Sequence, residues 1–139
     1  MIILDTNVLS ALMHEFPDPV VLDWLDRQPD SSIWTTTVSL MELRYGLNIL
    51  PLGRRRQRMS EELGGVLREE IEGRYVPFDI PAAEQAAELM AMRKQKGRPV
   101  DFRDTMIAGI TLATRATLAT RNIAHFEDLS VPVVNPWKE

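Results

Sequence analysis

The first ten residues, 1-MIILDTNVLS-10, contain the transition that decides the fold. Residues 1–4 are apolar and predict a short buried strand. Asp5, Thr6 and Asn7 follow at once, and a helical pattern of apolar residues begins after them. A carboxylate, a hydroxyl and an amide therefore stand at the carboxyl end of a buried strand, which is where parallel α/β proteins place their functional groups.

The rest of the chain alternates strands with helices. Further strands are predicted at 32–37, 74–80, 116–121 and 131–136, and helices at 8–15, 20–26, 38–50, 54–71, 81–95 and 102–114. This alternation predicts a mostly parallel sheet with helices on both faces, an α/β/α sandwich. The length of 139 residues predicts one domain, 1–139.

Composition excludes several classes of protein. The absence of cysteine excludes a disulfide framework and thiolate metal sites. The N-terminus lacks the pattern of a signal peptide and no apolar run is long enough to cross a membrane, so we expect a cytoplasmic protein without a membrane partner. The net charge of -4 implies that nucleic acid is not the partner, or that the acids are concentrated where a cation binds.

Four polar residues from distant parts of the sequence are expected at one end of the sheet: Asp5, Glu42, Asp104 and Asn122. Converging carboxylates raise one another's pKa unless a cation joins them. Oxygen ligands without cysteine or a histidine cluster favour a hard ion, Mg²⁺ or Mn²⁺. Such an ion can activate a water molecule for phosphoryl chemistry.

Structural roles are open for the first two acids. Asp5 could cap the helix that follows it, as could Asn7. The spacing of Ser39 and Glu42 fits a capping box, in which the glutamate accepts from the backbone N–H of the serine.

The later polar residues have similar alternatives. Asp101 suits the N-cap of the helix at 102–114, and Asp104 suits its first turn because of the helix dipole. Asn122 could be a turn residue, and His125 is interpreted as a packing or partner residue rather than a metal ligand.

The ordered set resembles the PIN-domain ribonucleases, in particular the VapC and FitB-like toxins of bacterial toxin–antitoxin pairs. Four stretches carry the resemblance along nearly the whole chain: "ILDTNVLSAL", "TVSLMELRYGL", "GRPVDFRDTMIAGI" and "LATRNIAHFEDL" with the following "VPVVNPW". The resemblance implies a PIN fold, Mg²⁺-dependent endoribonuclease activity on RNA and a homodimer. It also implies inhibition, in a higher-order complex, by a small antitoxin that binds DNA.

The resemblance also assigns roles. It implies that Asp5, Glu42 and Asp104 form the acidic core, with Asp5 and Asp104 as direct metal ligands and Thr6 orienting the site. The fourth acidic position of the family is Asn122 here. Because an amide carries no charge, a second metal ion is in doubt.

Two basic runs, 53-GRRRQR-58 and 93-RKQKGR-98, are candidates for RNA phosphate contacts, although solvated helix faces explain such runs equally well. The helices at 38–50 and 54–71 carry more apolar residues than one face needs, which predicts a dimer interface. Leu50 and Leu63 are candidates for that interface.

Two other functions compete. A receiver domain or a haloacid-dehalogenase-like phosphatase would need acids that are missing: Asn7 stands where the phosphatase has its second aspartate. A PIN fold that has lost catalysis and only binds a partner is the other alternative, because Asn122 removes one acid.

Overall fold

The computed structural model describes the whole chain, Met1–Glu139. Its centre is a sheet of five parallel strands in the order β3-β2-β1-β4-β5. The strands are β1 (Ile2–Leu4), β2 (Ile33–Thr36), β3 (Tyr75–Val76), β4 (Thr117–Ala119) and β5 (Val133–Val134). The predicted parallel sheet is confirmed, and no antiparallel pair interrupts it.

Six α-helices cover the sheet, and none of them is long and apolar enough to span a membrane. They are α1 (Thr6–Leu12), α2 (Pro19–Asp26), α3 (Thr37–Asn48), α4 (Arg54–Val66), α5 (Ile80–Gln95) and α6 (Phe102–Thr114). A single π-helical turn, Leu67–Ile71, continues α4.

Two hydrophobic clusters lie on opposite faces of the sheet. Leu4 belongs to the cluster that contains the apolar residues of α1, α2 and α4, whereas its neighbour Ile3 belongs to the cluster under α5 and α6. Successive side chains of a strand point to opposite faces, so β1 is buried on both sides. This confirms the α/β/α sandwich.

The strand order changes direction at β1. The chain moves from β1 outward through β2 to β3, and later returns to β4 and β5 on the other side of β1. The backbone N–H of Asp5 donates to the carbonyl of Ala119 at 2.9 Å, so β1 and β4 end together. Such a switch point is the usual binding position in an open α/β sheet.

Strand and helix ends differ from the sequence prediction at several places. The outer strands β3 and β5 have only two residues each, because proline or irregular backbone limits their pairing. Helix α1 begins at Thr6, two residues earlier than predicted, and α6 has the predicted bounds.

The predicted capping box is wrong. The N-cap of α3 is Thr36, whose hydroxyl accepts from the backbone N–H of Ser39 at 3.0 Å. Ser39 is therefore the third residue of the helix, and Glu42 lies a further turn along it. The Glu42 carboxylate is free of a capping role.

The position of α6 is fixed by its close approach to α5. Gly109 lies where a Cβ atom would be 2.5 Å from the carbonyl oxygen of Ala82 and 2.7 Å from the Cβ of Ala86. Glycine is therefore needed for this contact. Helix α6, whose first turn carries Asp104, is held against α5 by this packing.

The apolar residues proposed for a dimer interface divide into two groups. Leu63 is fully buried and serves the core, so it is not available to a partner, whereas Leu50 packs against the core and stays partly exposed. A different set is exposed on and after α3: Met41, Tyr45, Ile49 and Leu52.

Candidate active site

Asp5 occupies the N-cap of α1 and is only 3% exposed. Its Oδ1 accepts from the backbone N–H of Thr6 at 2.8 Å. Its Oδ2 accepts from the hydroxyl of Thr120 at 2.8 Å and from the side-chain amide of Asn7 at 3.2 Å. The capping role and a functional role are compatible, because each carboxylate oxygen has two lone pairs.

The surroundings of Asp5 oppose its ionisation. Burial raises the pKa of its carboxyl from 3.8 to about 6, and the nearby carboxylates of Asp104 and Glu42 add to the increase. The hydrogen bonds from Thr120 and Thr6 oppose the increase without cancelling it. Carboxylates on α3 and α6 therefore act electrostatically on the Asp5 carboxyl at the end of β1.

Glu42 projects from α3 toward the start of α1. Its Oε1 accepts from the hydroxyl of Thr6 at 3.1 Å, and that hydroxyl also lies 2.9 Å from the Oγ of Ser39. Burial raises the pKa of Glu42, and Asp104 and Asp101 contribute in the same direction. Thr6 hydrogen-bonds to both Asp5 and Glu42, so it links the two acids.

Asp104 lies in the first turn of α6, and His125 lies in the short 3₁₀ turn after β4. The Nδ1 of His125 is 2.8 Å from the Oδ2 of Asp104. Every buried side-chain oxygen and nitrogen atom of the chain has a hydrogen-bond partner. The Oδ1 of Asp104 has no partner in the chain, so this oxygen is not buried and is open to solvent. Asp101 is the N-cap of the helix, as predicted, and accepts from the backbone N–H of Arg103.

Arg103 brings a positive charge to the acidic cluster. One Nη lies 3.7 Å from the Oε2 of Glu42, and the Nε lies 3.5 Å from the Oδ1 of Asp101. The guanidinium is half exposed and lowers the pKa of Glu42, partly offsetting the burial. This arginine can contact an anionic substrate or inhibitor that enters the cluster.

The side chain of Asn122 makes no hydrogen bond with the acidic cluster. The residue is exposed, and only its backbone is engaged: its N–H donates to the hydroxyl of Thr120 at 3.0 Å, and its carbonyl accepts from the backbone N–H of His125 at 3.0 Å. Thr120 thereby joins Asn122 to Asp5 through one buried hydroxyl.

Sequence reasoning missed three contributors: Thr120, Asn7 as a hydrogen-bonding residue and His125. Thr120 and Asn7 both follow strands that end beside one another, and their side chains contact each other at 3.2 Å. Their places at strand ends were a usable signal. His125 gave no comparable signal, because its contact with Asp104 depends on the path of an irregular turn.

The residues of the two basic runs differ in solvent exposure. Arg54, Arg55 and Arg58 are exposed at the start of α4, as are Lys94 and Lys96 near the end of α5. Arg93 is the exception: it is 2% exposed and cannot face RNA, so its prediction as a phosphate contact is wrong.

The donor set of the cluster suits a hard divalent cation, since it consists of carboxylate oxygens at a site with raised carboxyl pKa. No three histidine or acidic side chains of the chain are arranged to hold a metal ion by themselves. Mg²⁺ fits this arrangement, because it usually takes one or two protein carboxylates and completes its shell with water and phosphate oxygens.

Comparison with known proteins gives a consistent result. Residues 2–131 match the PIN domain family. The chain is 37% identical over 138 residues to the VapC ribonuclease Y4jK of Sinorhizobium fredii, covering 99% of both chains. It is 32% identical to the toxin FitB of Neisseria gonorrhoeae over the full length of both. The solved structure of FitAB bound to an IR36 DNA fragment contains a chain with 31% identity and a TM-score of 0.87, covering 99% of this chain and 96% of that one.

Proposed function

The chain belongs to the PIN-domain family, and we propose that it is a metal-dependent endoribonuclease that acts as the toxin of a toxin–antitoxin pair. The similarity to proteins named VapC ribonuclease and toxin FitB supports this function. The observation that carries it is the hydrogen-bonded chain from Asp5 through Thr6 to Glu42 beside the switch point of the sheet, with the Asp104 carboxylate near enough to raise the pKa of both acids.

Asp5 and Asp104 would be the direct ligands of Mg²⁺, with Glu42 beside them in the acidic site, and Mn²⁺ would substitute for Mg²⁺. When bound, the ion supplies Lewis-acid chemistry and makes a water molecule a better nucleophile toward the RNA phosphodiester. The open Oδ1 of Asp104 supports its assignment as a ligand. Since Asn122 adds no charge and its exposed side chain makes no hydrogen bond within the chain, we assign a single ion.

The remaining residues orient these acids. Thr6 donates its hydroxyl to Glu42 and its backbone N–H to Asp5, so it sets the distance between two carboxylates. Thr120 and Asn7 hold the second oxygen of Asp5. Preorganised ligands of this kind are needed because small displacements lower catalytic rates strongly.

The exposed basic residues suit contact with the RNA backbone. Arg103 lies within the acidic cluster, and Arg121 follows Thr120 directly at the end of β4, with its guanidinium 4.8 Å above the ring of Trp137. These residues would bind phosphates on either side of the cleaved bond. The acidic net charge is then compatible with a nucleic-acid substrate, because the surplus of acid lies partly in the metal site.

The partner that regulates this activity would be a small DNA-binding antitoxin. The solved FitAB complex on DNA supports this proposal, since the chain resembles one of its components along its whole length. An acidic cluster with raised carboxyl pKa suits an inhibitor that inserts a basic side chain and competes with the metal ion.

Expression of the protein alone should arrest the growth of a bacterial host, and Asp5→Asn should relieve the arrest. The physical reason is that the variant loses a charged ligand without losing side-chain volume. The measurement is viable count after induction, with the soluble amount of both proteins matched by immunoblot. Unchanged growth with abundant soluble wild-type protein would contradict the toxin function.

We also propose a homodimer whose interface includes the exposed apolar side chains of α3 and the loop after it. Ile49 is 63% exposed and Leu52 is 87% exposed, and Met41 and Tyr45 continue the surface at helical spacing. Replacing Ile49 and Leu52 by glutamate should convert a dimer into a monomer of 15.8 kDa by light scattering at micromolar concentration.

Phe16 provides the control for this experiment. It is also 87% exposed but belongs to the segment between α1 and α2 rather than to α3 or the loop after it, so Phe16→Glu should leave the mass unchanged. A wild-type protein that is already monomeric would show that the exposed residues serve another partner.

A further inference from the structure

Arg93, in the last turn of α5, is a charged residue that is almost completely buried. Its Nε and one Nη donate to the two carboxylate oxygens of Asp128, each at 2.9 Å. This paired geometry is the strongest arrangement available to an arginine and a carboxylate, and it fixes the plane of the guanidinium. Asp128 responds with a pKa below its usual range, caused chiefly by the hydrogen bond from Arg93.

The other donors of Arg93 reach two separate segments. One Nη donates to the backbone carbonyl of His125 at 2.8 Å, in the turn after β4. The second Nη donates to the hydroxyl of Thr105 at 3.0 Å, in the first turn of α6, and that hydroxyl donates onward to the carbonyl of Asp101. A single guanidinium therefore joins the end of α5, the start of α6 and the His125 turn.

The start of α6 and the His125 turn also meet in the candidate active site. Thr105 directly follows Asp104, and the ring of His125 contacts the Oδ2 of Asp104 at 2.8 Å. An ionised carboxylate only accepts hydrogen bonds, so Nδ1 of His125 carries a proton in this contact. The contact occupies Oδ2 and leaves Oδ1 open. Arg93 thus binds the hydroxyl of the residue after Asp104 and the carbonyl of His125, without contacting the Asp104 carboxylate itself.

We infer that Arg93, fixed by Asp128, is a positioning residue for Asp104: it holds the His125 turn against α6 so that the imidazole orients the Asp104 carboxylate. The inference rests on the proposed function, because it takes Asp104 as a site residue. A purely stabilising role explains the arrangement less well, since the Asp128 side chain keeps 29% of its surface exposed, whereas the four hydrogen bonds of Arg93 are all directed at the two segments beside Asp104 and at Asp128.

The first test uses the two histidines of the chain, His14 and His125, as separate nitrogen NMR probes at one fixed pH without added metal. His14 is exposed and serves as the internal reference. Arg93→Lys keeps the charge, but one ammonium cannot reproduce the four hydrogen bonds of the guanidinium. We expect the His125 ring signals to lose the pattern of a hydrogen-bonded Nδ1–H and to approach those of His14.

The second test measures RNA cleavage. Loss of a group that orients a metal ligand typically lowers activity about 10- to 100-fold. We expect Arg93→Lys to lower kcat by that factor and to leave KM for RNA within about twofold, because Arg93 does not contact solvent or substrate. Since Arg93 acts through His125, adding Arg93→Lys to His125→Ala should cause little further loss.

Arg74→Lys is the matched control. Its guanidinium is also largely buried and donates to the backbone carbonyls of Ile33 and Glu70, at the opposite end of β2 from the site. It should leave the His125 signals and kcat unchanged. Asp128→Asn is a milder second variant for the case in which Arg93→Lys does not fold, because the amide keeps one acceptor for Arg93.

The outcomes are distinguishable. His125 signals and kcat that both stay at wild-type values in folded Arg93→Lys and Asp128→Asn would overturn the inference, as would equal losses in Arg74→Lys. A wild-type protein that cleaves no RNA would overturn the proposed function, while the His125 signals would still decide whether Arg93 positions the ring.

Discussion

Asp104→Asn should lower the rate of RNA cleavage by on the order of 1,000-fold, which corresponds to about 4 kcal/mol of transition-state stabilisation. The substitution keeps the shape of the side chain and removes its charge, so a divalent ion loses a ligand that it needs for water activation. The contact with His125 can persist through the remaining carbonyl oxygen, so the fold should be retained. The measurement is kcat/KM on one labelled RNA with saturating Mg²⁺.

Asp101→Asn is the control for this prediction. Asp101 lies one helical turn from Asp104 and caps the same helix by accepting from the backbone N–H of Arg103. Asparagine caps helices about as well as aspartate, so this variant should cleave RNA within a few-fold of wild type. If Asp104→Asn retained more than roughly a tenth of the activity, Asp104 would not be a metal ligand.

The second large effect concerns stability against pH in the presence of EDTA. In the unfolded chain Asp5 has its ordinary pKa of 3.8, whereas in the folded protein burial and the neighbouring acids raise its pKa to about 6. The folded protein therefore holds this proton more tightly, and the free energy of unfolding should fall as pH rises between these values. The difference corresponds to about 3 kcal/mol lost by neutral pH. Glu42, with its raised pKa, contributes in the same direction.

Urea unfolding of wild type and Asp5→Asn from about pH 4 to pH 8 measures this effect. Asp128 and Asp101 have lowered pKa values, so they remove stability at acid pH in both proteins and cancel in the comparison. The stability of wild type relative to the variant should fall across the window. Parallel curves would show that Asp5 ionises normally in the folded protein.

The sequence predicted the parts of the site that lie at the ends of regular elements. Asp5 follows β1 directly and Asp104 lies in the first turn of α6, so an apolar run and a helix start were enough to place them. The alternation of strands and helices likewise predicted the parallel sheet, because parallel strands need helical crossovers.

Two interpretations failed because a local sequence pattern does not show which other residues a side chain contacts. The serine and glutamate spacing that predicted a capping box was misread, because Thr36 ends β2 and caps α3 itself, which leaves Ser39 inside the helix. Arg93 belongs to a basic run whose other members are exposed, but it donates its hydrogen bonds to Asp128, His125 and Thr105, which are distant in sequence. A local pattern could not distinguish it from its neighbours.

The most direct test of the account is cleavage of a single labelled RNA by the purified wild-type protein, with and without divalent metal. We predict cleavage that requires added Mg²⁺ or Mn²⁺, stops on addition of EDTA and returns when excess Mg²⁺ is restored. Cleavage that continues undiminished in EDTA would contradict the account, because the acids gathered around Asp5 would then act without the cation that their arrangement favours.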